Sequence, residues 1–429
     1  MIGEAGVEVK TPAAPATIGA PLGGTSPARG AIASPKQRSV ELDVLRTAAI
    51  LLVLGRHSVL PWEEAGRLQP VAAYLHRIGW SGVDLFFVLS GFLVGGLLFT
   101  ELGERGHIDV RRFLIRRGFK IWPAYVIYLG CLLLGLTFIE TRGDIGYALD
   151  RLLPNFVHVQ NYFDGTRRHT WSLAVEEHFY LMLPLVLVFA SRRRAPGAVG
   201  LPLVPKIAAG LVLGCTGLRI ITTALWPFAL ETHFWPTHLR IDSLFFGVFL
   251  AYLHHYRPGL LEPASRHHGK LLLLGAALVL PAGVLPITGS FVPTVGLTML
   301  YVGYGAILLA VVHAPPASRL SRLFRTAPGR WLGFIGLHSY SIYLWHIDLA
   351  QIPIIKLLKR GVAGSLPAEI RWLAAMLVYV IVAFAVGLVM AFLIERPALK
   401  LRERLFPPRA RAAEAAPTAA PAAAPTTAS

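Results

Sequence analysis

The chain has 429 residues, 54% of them hydrophobic and only 15% charged, with a mean hydropathy of +0.56. That composition excludes an ordinary soluble domain and predicts an all-α fold, a polytopic helical bundle in a membrane. The net charge of +17 would suggest nucleic acid in a soluble protein. In a membrane protein it follows from Lys and Arg collecting in cytoplasmic loops, so no nucleic-acid partner is expected.

In chain order, residues 1–39 are rich in Ala, Pro, Gly, Ser and Thr with no apolar stretch, and are expected to be a disordered cytoplasmic tail. No cleavable signal peptide is expected, because the first apolar run starts only after about forty residues and is long enough to span. A membrane domain at 40–400 then carries ten predicted spans, each near the roughly twenty residues a bilayer demands. They fall at 43–61, 80–100, 119–139, 171–190, 207–226, 236–254, 270–287, 293–313, 333–356 and 371–394. Residues 401–429, basic and then Ala/Pro-rich, are expected to be a second disordered tail. Cys131 and Cys215 lie inside apolar runs and are read as packing residues. A cytoplasmic N-terminus puts about 28 of the 41 Lys and Arg on the cytoplasmic side, the bias the positive-inside rule requires. Both termini are therefore expected in the cytoplasm.

Ionisable groups inside spans cost several kcal/mol unless paired or hydrated, so each is a functional candidate. In "LDVLRTAAILLVLGRHSVLPW", Arg46 and His57 are eleven residues apart and project from one helix face, about 16 Å apart along the axis. Arg56 points about 100° off that face and is expected only to reach the outer interface. Asp84 opens the second span in "GWSGVDLFFVLSGFLVG", and Glu176 and Glu177 lie about two turns into the fourth, in "HTWSLAVEEHFYLMLP". Arg240 and Asp242 open the sixth in "PTHLRIDSLFFG"; "LHSYSIYLWHID" sets Ser339, Tyr343 and His346 in the ninth. In the predicted orientation these groups meet in the outer half of the membrane, where a shared polar cavity is expected. Ser90, Ser339 and Tyr340 are explained by hydrogen bonds between helices.

The motifs "LDVLRTAAILLVLGRH", "GVDLFFVLSGFLVG", "FLIRRGFKIWPAYVIYL", "TWSLAVEEHFYLMLPL", "LRIDSLFFGVFLAYL" and "SYSIYLWH", in this order, resemble acyltransferase family 3, integral membrane proteins that O-acylate exported glycans and related molecules. The resemblance runs from about Leu42 to Arg396. Its Arg-x10-His pair maps onto Arg46 and His57, its basic motif onto Arg116, Arg117, Lys120 and Pro123, and its Trp-Ser-Leu-x-x-Glu-Glu motif onto Trp171, Ser172, Glu176 and Glu177. Lys120 stands where the family commonly has Arg, which keeps the charge but loses a bidentate fork. No fused extracellular hydrolase-like domain follows the tenth span, so a stand-alone transferase is expected.

The resemblance implies a bacterial inner-membrane protein taking acyl groups, with acetyl expected, from cytoplasmic acyl-CoA to a hydroxyl of a cell-envelope or exported glycan. Arg46, Arg116, Arg117 and Lys120 would hold the donor's phosphates, whereas Arg111 and Arg112 need only the positive-inside rule. The pantetheine arm, about 15–20 Å long, matches the axial gap from Arg46 to His57. His57 would be the general base. Asp84, Glu176 or Glu177 would hold its ring, Arg240 would neutralise Asp242 or steady an oxyanion, and His346 belongs to the same polar group. Direct transfer and an acyl-enzyme on His57, Ser172 or a tyrosine both stay open. No metal or permanently bound cofactor is expected. A lipid or small-molecule antibiotic acceptor is the alternative; a secondary transporter fits less well, for want of internal symmetry.

Overall fold

The computed structural model describes residues 39–407, except 141–142, 164, 195–197, 199 and the side chain of Glu140. The expected tails lie outside the described residues apart from Ser39 and 401–407. Every element among the described residues is helical, which in a bilayer satisfies each backbone polar group within its own segment.

Helix α1, Val40–Arg56, starts where the Ser39 side chain accepts the Leu42 N–H at 3.4 Å, and carries Glu41 and Asp43 in its first turn, where the helix dipole favours acids. It ends at His57, whose N–H bonds the Val53 and Leu54 carbonyls. Pro61 has no N–H to extend the ladder from the His57 carbonyl. Gln351 Nε2 donates to that carbonyl instead, at 2.7 Å.

Helix α2, Gly82–Arg105, is closed by Gly106 at φ 72, a left-handed position that glycine adopts without strain. Then come α3, Val110–Gly135; α4, Trp171–Arg192; α5, Leu203–Leu225; α6, Ile241–Tyr256; and α7, Leu297–Val312. Short pieces follow: α8, Ala327–Leu337, and α9, Ser339–Trp345, then a π turn, His346–Gln351, and α10, Ile352–Lys359. Helix α11, Ala368–Met390, precedes α12, Arg396–Leu405, which runs past residue 400.

Six of the described helical stretches are long and apolar enough to cross a membrane: Gly66–Arg105, Val110–Ile139, Arg168–Arg192, Leu203–Leu225, Val292–Val312 and Ala368–Leu405. The pair Pro258–Arg266 and His268–Val284, bent by 90°, makes a seventh if counted as one span. The ten expected spans exceed this number. The segments expected at 43–61, 236–254 and 333–356 hold helices that are short or broken. At 17 and 16 residues, α1 and α6 rise only about 24–26 Å against a hydrocarbon core of about 30 Å. The third is interrupted at His338 and again by the π turn. Each of these three carries ionisable groups assigned to the site, and its helix starts, stops or widens beside them.

Small residues let these helices approach closely. A Cβ on Gly91 of α2 or on Gly247 of α6 would lie 3.0 Å from the other glycine's Cα and strike the facing backbone, the packing that replaces a hydrophobic driving force between helices in lipid. Gly336 of α8 lies against Asp43 and Thr47 of α1, and Thr47 Oγ1 donates to the Leu332 carbonyl at 2.6 Å. Large apolar side chains such as Leu213 (75% exposed) and Leu273 (73%) remain on the outside, as lipid-facing residues do.

Candidate active site

Three cavities lie in series, joined by shared walls. The first, about 200 Å³, is lined by Arg46, Arg117, Lys120, Ser90, Glu176, Ser172 and Tyr343 among others. The second, about 270 Å³, shares Val83 and Tyr343 with the first and adds His57, Arg56, His169, Arg240 and the rings of Trp80, Trp171, Phe234 and Trp235. The third, about 700 Å³, shares Arg56 and His57 with the second and opens among Glu63, Glu64, His76, Gln351, Lys359 and Arg371. Arg46, on α1, thus lines the first cavity, and His57, at the end of the same helix, stands where the second and third meet.

At the first cavity the cations differ in what they already hold. Arg46 pairs with Asp43 at 2.7 Å, and Lys120 is bonded to Glu395, which also accepts from Ser341. The Arg117 guanidinium lies over the Phe113 and Tyr180 rings, 5.7 and 5.5 Å from their centroids, and lines the cavity with no ion-paired carboxylate among the described residues. Arg116, expected with them, hydrogen-bonds the Phe406 carbonyl at 2.7 Å and does not line the cavity. One turn separates Lys120 from Arg116 on α3, yet α12 and the residues after it claim only the latter.

The carboxylates are placed differently from the expectation that one of them holds His57. Glu176 lies in the first cavity, accepting from Ser90 at 3.2 Å and Tyr180 at 3.1 Å. Glu177, one residue on and about 100° round the helix, accepts from Trp122 Nε1 at 3.4 Å and lines none of the three cavities. Asp84 is buried against Arg240 at 2.6 Å, so Arg240 does not neutralise Asp242. That role belongs to Arg219, unforeseen in the second half of α5, which bonds Asp242 at 2.9 Å and also Thr216, Thr298 and the Leu239 carbonyl. A lone arginine in an otherwise apolar run was the available signal.

Removing one partner of such a buried pair strands a charge at a cost of about 3–5 kcal/mol, whereas exchanging both for apolar residues of similar volume is close to neutral. Arg240→Met alone should lower the melting temperature in detergent sharply. Pairing it with Asp84→Leu should recover most of the loss; a double variant no more stable than the single one would show that the pair does not act as a unit.

The group that holds the His57 ring is His346. His346 Nε2 lies 3.1 Å from His57 Nδ1, and His346 Nδ1 lies 2.6 Å from the Tyr343 carbonyl oxygen. A carbonyl only accepts, so the proton of neutral His346 sits on Nδ1 and its Nε2 offers a lone pair. His57 Nδ1–H donates to that lone pair, which leaves His57 Nε2 as the free basic nitrogen. The π turn makes the arrangement possible. Five residues apart on an α-helix, His346 and Gln351 would differ by about 140° in direction; the wider i→i+5 turn brings both to His57, one to its ring and one to its carbonyl. Asp348, within the same turn, accepts from Tyr128 at 2.6 Å and Arg167 at 2.8 Å and pins it.

Two further residues belong here. His169, two positions before Trp171, lies with its ring centroid 5.4 Å from that of His346, and it too lines the second cavity. Tyr343 donates to the His169 carbonyl and hydrogen-bonds Ser172 at 2.7 Å, standing at the neck between the first and second cavities. Arg56, expected to stay clear of the site, lines both cavities that His57 lines.

Helices long and apolar enough to cross a membrane, with cations in one of three adjoining cavities and an imidazole pair at another, make up an integral membrane protein with groups suited to proton transfer. The family model for an acyltransferase domain matches residues 39–396, and the chain belongs to that family. It is 27% identical over 352 residues to the peptidoglycan O-acetyltransferase OatA of Listeria monocytogenes, covering 74% of this chain and 50% of that protein. To the O-acetyltransferase OatA of Staphylococcus aureus it is 27% identical over 363 residues, covering 77% of this chain and 55% of that protein. The chain thus spans about half the length of the curated relatives it matches. No solved structure matches it.

Proposed function

We propose that this chain is a membrane O-acyltransferase that moves an acyl group, acetyl by analogy with its relatives, from cytoplasmic acyl-CoA to a hydroxyl of a cell-envelope glycan. The observation that carries this reading is the series of cavities running from Arg46 and Arg117 to His57. Phosphates of the donor stay with the cations Arg46, Arg117 and Lys120, which line the first cavity and suit phosphoryl oxygens. The arm passes Tyr343 and sets its thioester in the second cavity; the acceptor enters through the third.

His57 Nε2 takes the proton of the acceptor hydroxyl as its oxygen attacks the thioester carbonyl carbon. His346, accepting from His57 Nδ1–H, stabilises the imidazolium that forms, as an orienting partner does for other histidine bases. Collapse of the tetrahedral intermediate forms the ester, breaks the C–S bond and expels CoA thiolate, which recovers the proton from His57 Nε2. Atoms and charge balance without a resident cofactor.

The test is purified protein with labelled acetyl-CoA and a soluble glycan, read by mass spectrometry of the glycan. O-acetyl esters formed in proportion to CoA released support the reading; neither product, with the protein folded, excludes it. The charge bias of the loops also supports a cell-membrane location with both termini cytoplasmic. Reporter fusions after Ser191, His267 and Pro408 should report cytoplasm, and those near Gly143 and Gly364 the outer side. An external C-terminus would overturn that topology.

A further inference from the structure

The described lining of the third cavity holds more cations than carboxylates. Its ionisable lining comprises Arg56, Lys359 and Arg371 against Glu63 and Glu64, with His76. Arg371 is satisfied by Glu64 at 3.0 Å. Arg56, half-buried beside His57, bonds only neutral groups: His76 Nε2 at 2.7 Å and the His76 carbonyl at 3.3 Å. Since guanidinium only donates, His76 Nε2 is the lone-pair nitrogen and that ring adds no charge. Among the described residues Arg56 has no carboxylate partner. A half-buried cation with no bonded carboxylate is costly, and the cost is relieved when a ligand brings the anion. Arg56 lines the same two cavities as His57, so an anion bound to it sits next to the base.

We propose that Arg56, with Lys359 at the rim, forms an acceptor subsite for an anionic group, a carboxylate or phosphate, carried by the glycan whose hydroxyl is acylated. The subsite rests on the acyltransfer reading for its purpose but not for its existence, since binding is measurable without turnover. It makes Arg56 a specificity determinant: it selects charged saccharides over neutral ones and sets the acceptor's position relative to His57.

Equilibrium binding to the full chain in detergent micelles tests this with three matched probes: a neutral glucose trisaccharide, its terminal 6-carboxylate and its terminal 6-phosphate. Wild type should bind one or both anionic forms about tenfold more tightly than the neutral form, as a charge-assisted hydrogen bond provides, and which one is preferred identifies the group. Arg56→Gln should bring all three to within about twofold, and Arg56→Lys should keep much of the preference, which also guards against misfolding of the first variant. Equal binding of the three probes by wild type, or a preference that survives Arg56→Gln, overturns the subsite. Acetyl-CoA transfer measured alongside separates the two ideas: transfer with no anionic preference removes the subsite alone, while an Arg56-dependent preference without transfer supports the subsite and removes the acyltransfer reading.

Discussion

His57→Gln should reduce acyl transfer by about 10²–10⁴-fold, the usual worth of a general base, while leaving the protein folded and donor binding intact. Glutamine keeps a hydrogen bond to His346 but has no basic nitrogen for the acceptor proton, so the loss should fall on kcat. His346→Asn is the companion variant. It leaves His57 in place but removes the lone pair that fixes its tautomer, and it should lower kcat with little change in donor KM. If His57→Gln turns over near the wild-type rate, the base lies elsewhere; His169, lining the same cavity, would be the residue to examine next.

The second large effect is at the other end of the path. On the proposed reading, Arg117→Gln should weaken acyl-CoA binding by about 10–100-fold, the range for a lost hydrogen bond to a charged group, because this guanidinium rests on two rings and has no ion-paired carboxylate among the described residues. Arg46→Ala should act in the same direction and less strongly, since Arg46 is already committed to Asp43. Acetyl-pantetheine, which lacks the nucleotide phosphates, supplies the control. Both variants should handle it as wild type does, and an equal loss with both donors would assign these arginines a structural role.

Much of this path is legible in the sequence because its principal residues are charges in apolar surroundings. Arg46 and Glu176 announce themselves that way, Arg117 and Lys120 come only from the family resemblance, and the four do share a cavity; His57 and His346 stand in apolar runs too and are hydrogen-bonded. Pairing is less legible. Asp84 could be matched with any nearby cation, and only packing of α2 against α6 commits it to Arg240. Glu177 is indistinguishable from Glu176 by composition, yet 100° of helical rotation sends it to Trp122. Hydropathy windows also read continuous spans where the backbone breaks: the π turn at His346–Gln351 leaves no compositional trace, although it is what delivers two side chains to one histidine. The angle along an ideal helix points Arg56 away from His57, but Arg56 is the last residue of α1, where the chain turns and both arginine and histidine line the same two cavities.

The most direct test of the path as a whole is transfer across a sealed bilayer. Proteoliposomes loaded with labelled acetyl-CoA and bathed in a soluble glycan acceptor should place label on the external glycan, from chains whose cationic mouth faces the lumen, and His57→Gln vesicles should not. Label found on glycan only when donor and acceptor share a compartment, with the vesicles intact, would contradict a donor site and a base at opposite ends of one membrane-spanning path.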